Sequence, residues 1–140
     1  MTAPVAMNQP LASARVLVAD DDRELRRSIA RAIQVQGGEA AEARDGAALR
    51  AKLRESVLFP GDEPDWNVVV TDIDMPGASG LEVLEEFGAL VGRRRFILVS
   101  GHVDEAARRR AHAAGAYAVL EKPFELPELL AMVGQVARMR

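Results

Sequence analysis

Five times along this chain a short run of aliphatic and β-branched residues gives way to a segment of helical period. RVLVAD (15–20) is a continuous apolar run of strand length that ends in acids. From Asp22 the period lengthens: Leu25, Ile29 and Ile33 fall at i, i+4 and i+8, and the predicted helix stops at Gly37 and Gly38. EAAEA (39–43) predicts a weak strand, and Asp45 is placed to cap a helix running to about Ser56. VLFPGDEPDW (57–66), with two prolines and a glycine, predicts a loop. NVVVTD (67–72) is the clearest strand. DMPGASG (74–80) predicts a Pro/Gly loop, followed by a helix that Leu81, Leu84 and Phe87 begin and that ends near Gly92. RFILVS (95–100), an Ala- and Arg-rich helix from about Val103 to Ala114, and AYAVL (116–120) follow. A last helix carries Leu126, Leu129, Leu130, Val133 and Val136 on one stripe.

Strict alternation of apolar strands with helices predicts an α/β fold: a doubly wound parallel sheet with helices on both faces. In such sheets, sites form beyond the carboxyl ends of the strands, where the strand order reverses. The residues at those ends are therefore the candidates. The first strand ends in Asp20 and Asp21, the third in Asp72, the fourth in Ser100, and Lys122 follows the fifth. In the flavodoxin-like (βα)5 arrangement, with strand order 2-1-3-4-5, the first and third strands are neighbours and the three acids meet. Two carboxylates about 4 Å apart repel by about 4 kcal/mol at an effective dielectric of about 20, so the cluster calls for a cation. Hard oxygen donors that leave room for water and phosphate suit Mg2+. Asp72 is then a candidate carboxylate nucleophile toward phosphorus. Lys122 would supply a point charge for the phosphoryl group and Ser100 a hydroxyl donor.

Composition removes most other classes of function. At 140 residues the chain is about one domain. It has no cysteine, which excludes disulfide frameworks, thiolate zinc sites and cysteine nucleophiles. Twenty-one acids against eighteen bases leave a net charge of −3, which argues against nucleic acid as a partner. No apolar run approaches the roughly 18 residues of a membrane span. No charged side chain precedes Arg15, so the start lacks the basic region of a signal peptide. The expectation is a cytoplasmic protein with a disordered tail over residues 1–13 and one folded domain over 14–140.

VLVADDD, VVVTDIDMPGASGLEVL, ILVSG and AGAYAVLEKPF together resemble a response-regulator receiver domain of two-component signalling, over about residues 15–140. The resemblance implies a role for each position. Asp72 would be the phosphoacceptor and a metal ligand. Asp21 would bind Mg2+ directly and Asp20 mostly through water, with the backbone carbonyl of Asp74 completing the protein's share of the shell. Ser100 would be the switch hydroxyl, and Lys122, before Pro123 in a cis turn, the phosphate partner. The implied donor is a phosphohistidine on a histidine kinase or a histidine phosphotransfer protein. The implied output is altered binding of a downstream protein through the face of the fourth helix, fifth strand and fifth helix, in a monomer or weak dimer. The only catalysis implied is the domain's own phosphorylation and dephosphorylation.

Some positions depart from the pattern. Val119 stands where an aromatic switch residue is expected, and Tyr117, two residues earlier, reads as facing the same side. The positions of Asp74 and His102 commonly tune phosphate lifetime in the family, and this pair leaves the rate open. The loop before the third strand is longer than usual.

Other readings compete. Asp72-Ile73-Asp74 resembles the DxD nucleophile of haloacid-dehalogenase-type phosphatases, with Asp74 as acid/base. Those enzymes, however, place the acidic pair after the lysine, whereas here it leads, and Met75-Pro76-Gly77 replaces the expected threonine. A pseudo-receiver scaffold without phosphorylation predicts loss of at least one of Asp20, Asp21, Asp72, Ser100 and Lys122, and none is missing. Asp22 reads as a helix cap, His102 as a lone loop residue and His112 as solvated. The arginine triplets 93–95 and 108–110 read as solvated faces, the second able to meet acids on a partner. One helix fills the chain after Lys122, so the expectation is a single-domain regulator or a receiver cut from a longer chain.

Overall fold

A computed structural model describes residues 9–59, 61 and 66–139. The strands are β1 (Arg15–Ala19), β2 (Glu39–Ala43), β3 (Val68–Asp72), β4 (Phe96–Ser100) and β5 (Ala118–Glu121). The helices are α1 (Arg23–Val35), α2 (Gly46–Leu58), α3 (Gly80–Val91), α4 (Glu105–Ala113) and α5 (Leu126–Ala137). All strand pairs are parallel, as the alternation predicts, and the order is β2-β1-β3-β4-β5, that of the flavodoxin-like arrangement.

Side chains of a strand point to opposite faces in turn, which divides the core in two. Val16, Val18, Val68, Val70, Ile97 and Val99 join Ile29 and Ile33 of α1 and Leu129, Val133 and Val136 of α5. Leu17, Val69, Phe96 and Leu98 join Leu49 and Leu53 of α2, Leu81, Leu84 and Phe87 of α3, and Ala111 of α4. β3 and β4 are buried at every residue, which is why they read as unbroken apolar runs rather than as alternation. Helix starts follow their caps: Asp22 accepts from the Leu25 N–H, Asp45 from that of Ala48, Ser79 from that of Glu82 and Asp104 from that of Ala107.

The structure moves several expected boundaries. α2 continues through Val57 and Leu58, which the sequence assigns to the loop; Asn67 and Arg95 fall just outside their strands, Arg95 in a 3-10 turn. α4 begins after the Asp104 cap rather than at Val103. Tyr117 lies in the turn before β5, so strand alternation does not govern it. Its ring packs on the α1/α5 side and its hydroxyl donates to Gln135, whereas Val119 packs on the α2/α3/α4 side. The expected tail also needs correction. Residues 1–8 lie outside the described residues, but Leu11 is buried in the α1/α5 core and its N–H donates to the Gln36 carbonyl at 2.9 Å. Folded structure therefore begins before residue 14, because an apolar side chain covers the end of the α1/α5 layer. Among the described residues no helix is long and apolar enough to cross a membrane.

Candidate functional site

The parallel register aligns the carboxyl ends of β1, β3 and β4. Ala19 pairs with Thr71 and Asp72 with Val99, so Asp20, Asp72 and Ser100 emerge side by side at one edge. Ser100 pairs with Glu121, which delivers Lys122 to the same edge. The Lys122–Pro123 peptide is cis.

One carboxylate oxygen each from Asp20, Asp21 and Asp72 lies within 4.8 Å of the others. Asp20 and Asp72 are buried and Asp21 is exposed. The Lys122 ammonium bridges the buried pair, 2.9 Å from Asp20 Oδ2 and 3.0 Å from Asp72 Oδ2. Backbone donors hold the remaining oxygens: the Asp22 N–H meets Asp20 Oδ1 at 2.8 Å and the Asp74 N–H meets Asp72 Oδ1 at 3.0 Å.

The titration behaviour follows from this geometry. Burial pushes the Asp72 carboxyl above its ordinary value; hydrogen bonds from Lys122 and the Asp74 N–H oppose the rise, and the charge on Asp20 adds to it. Burial pulls the Lys122 ammonium down, but its bonds to Asp20 and Asp72 outweigh that and leave it above its ordinary value.

Close packing fixes the loop after β3. A Cβ on Gly80 would stand 2.4 Å from the Asp72 carbonyl oxygen, so only glycine lets α3 start this close to the strand end. A Cβ on Gly46 would meet the Ala78 backbone at 2.2 Å, which seats the start of α2 against the same loop.

The structure thus brings Asp20, Asp21, Asp72 and Lys122 together. Ser100 lies at the same edge, but its Oγ is 3.0 Å from Asp74 Oδ2. Sequence reasoning considered the Asp74 carbonyl and an acid/base role for its side chain, and did not anticipate this contact. It also missed Arg26, whose Nη1 donates to the Asp20 carbonyl at 2.8 Å while Nε meets Glu42 at 2.9 Å. The available signal was its place beside Leu25, one turn into the helix that follows the acidic pair. His102 contributes backbone alone: its N–H and carbonyl both contact Ser100 Oγ.

The three gathered donors are all carboxylate oxygens, the chemistry of a hard divalent ion. Three acids and a lysine gathered at the switch point of a doubly wound parallel sheet stand where folds of this class bind their ligands. Residues 16–134 match the model of the response regulator receiver domain, and the chain belongs to that family. It is 39% identical over 126 residues to response regulator MprA of Mycolicibacterium vanbaalenii, covering 89% of this chain and 50% of that one. It is 34% identical over 130 residues to the C4-dicarboxylate transport transcriptional regulatory protein DctD of Pseudomonas aeruginosa, covering 92% and 26%. The chain thus spans between a quarter and a half of these curated relatives. A CheY-like receiver domain protein from Methanospirillum hungatei superposes with a TM-score of 0.77 at 25% identity, covering 89% of this chain and 93% of that one. Receiver domains are signalling modules rather than classical enzymes, which sets the phosphatase reading aside.

Proposed function

We propose that this chain is a phosphorylation-dependent switch in which Asp72 accepts a phosphoryl group from the phosphohistidine of a histidine kinase or a histidine phosphotransfer protein. The observation that carries the reading is the Lys122 ammonium held between two buried carboxylates, with a third carboxylate within 4.8 Å. An Asp72 oxygen attacks phosphorus in line, the phosphorus–nitrogen bond breaks, and the imidazole leaves with the electron pair. Asp20, Asp21, Asp72 and the carbonyl of Asp74 would hold Mg2+, which when bound neutralises the acids and the phosphoryl oxygens. Lys122 follows the new charge and pairs with a phosphoryl oxygen. Ser100 donates its hydroxyl to another.

The product adds about −1.5 to −2 charges at the edge of β3. Pulling Lys122 and Ser100 toward it biases the segments that carry them, the turn after β5 and the loop between β4 and α4. The α4-β5-α5 face then binds a protein target differently. Incubation with Mg2+ and acetyl phosphate should add one phosphoryl mass to the wild type, and Asp72→Asn should abolish the addition. Labelling that survives in Asp72→Asn refutes the assignment.

A further inference from the structure

The Ser100 hydroxyl is engaged before any phosphoryl group arrives. Ser100 is fully buried. Its Oγ stands 3.0 Å from Asp74 Oδ2, 3.0 Å from the His102 carbonyl oxygen, and accepts the His102 N–H at 3.2 Å. A hydroxyl has one proton to give. A carboxylate is a stronger acceptor than a carbonyl, so that proton goes to Asp74. The same residue touches the acceptor carboxylate through its backbone, N–H to Asp72 Oδ1 at 3.0 Å. Asp74 therefore stands between the site of phosphorylation and the hydroxyl that responds to it.

We propose that the Asp74 carboxylate is a latch: it holds the Ser100 hydroxyl away from Asp72 in the resting state and sets how far the switch is biased before phosphorylation. The proposal rests on the receiver reading of Asp72. A phosphoryl group there offers new anionic acceptors and repels the Asp74 carboxylate two residues on. Ser100 then exchanges one charge-assisted bond for another instead of gaining one. No covalent bond changes; the hydroxyl keeps its proton and turns.

The latch has a path to the output face. His102 donates its N–H to Ser100 Oγ, so a turning hydroxyl disturbs the backbone of residue 102. Two residues later Asp104 caps α4, accepting the Ala107 N–H at 2.7 Å. A Cβ at Gly101 would meet nothing within 4 Å, so no side chain or backbone packs against this connection on that side. Asp74 is thus a positioning residue that acts through Ser100 on the start of α4.

The test compares wild type with Asp74→Ala, Asp74→Asn, Ser100→Ala and the Asp74→Ala/Ser100→Ala double variant. The readout is the population-weighted amide shift of His102 in metal-free, unphosphorylated protein, scaled against the acetyl phosphate/Mg2+ form. Asp74→Ala should enrich the switched arrangement at rest about tenfold, the worth of one charge-assisted hydrogen bond. Asp74→Asn, which keeps an acceptor without the charge, should fall between. With Ser100 already alanine, the same Asp74 change should leave the His102 shift where it was. An unshifted resting Asp74→Ala, or an equal shift in the Ser100→Ala background, overturns the latch. Phosphoryl labelling of the wild type, read in parallel, separates the two ideas: no label sinks the receiver reading, whereas label with an unmoved Asp74→Ala sinks the latch alone.

Discussion

Lys122 is the cation resident at the Asp20/Asp21/Asp72 cluster, and replacing it should have two opposite consequences. Lys122→Met keeps an unbranched chain of similar length and removes the charge. Asp20 and Asp72 then face each other with oxygens no more than 4.8 Å apart, a repulsion of at least about 3.5 kcal/mol at an effective dielectric of about 20. Asp20 is 1% exposed, so water relieves little of this. Without divalent ions the variant should lose about 3 kcal/mol of stability at pH 7, a fall of roughly 10 °C in Tm for a domain of this size. Divalent binding should move the other way. The ammonium no longer competes for Asp20 Oδ2 and Asp72 Oδ2, so Mg2+ should bind at least about tenfold more tightly and restore most of the lost Tm. Thermal unfolding in EDTA and in MgCl2, with calorimetric titration of Mg2+, measures both. Mg2+ affinity that stays the same or weakens, or a Tm in EDTA equal to wild type, would refute the view that Lys122 neutralises the acidic pair at rest.

Other consequences are as direct. Asp72 is held above its ordinary value of 3.8, chiefly by burial, so between that value and the raised one the folded chain keeps a proton the unfolded chain has released. Stability therefore falls as pH rises through that window, and Asp72→Asn should have a higher Tm than wild type at pH 7 in EDTA; an equal or lower Tm contradicts the sign. Gly80→Ala drives a methyl against the Asp72 carbonyl and should cost about 1–3 kcal/mol and slow labelling by acetyl phosphate, whereas wild-type labelling kinetics would mean that the strand end yields freely. Leu11→Ala should cost about 2–4 kcal/mol in denaturant unfolding, and a loss below about 0.5 kcal/mol would place residues 9–13 outside the cooperative unit.

Legibility in the sequence followed the range of the interaction. Caps are local: Asp22 and Asp45 each reach an N–H three residues on, so both could be read from spacing alone. Strand ends were legible because a buried parallel strand needs an unbroken apolar run, and the polar residue that stops it is the one left at the edge. Tyr117 was misplaced because a period of two holds only inside a strand, and β5 starts one residue later. Leu11 reads as tail in the sequence because a single apolar residue among small and polar ones has no period; only packing in the α1/α5 core gives it a place.

By itself the sequence determined the order of elements, the two-sided core and which five side chains stand at strand ends, because apolar period and burial are properties of consecutive residues. It did not determine which of those side chains hold one another. Lys122 bridges Asp20 and Asp72 across 102 and 50 residues, and Ser100 turns to Asp74 across 26. Those choices depend on strand register and on which acceptors it brings within reach, and such distances exist only once the sheet has closed the gaps in the chain.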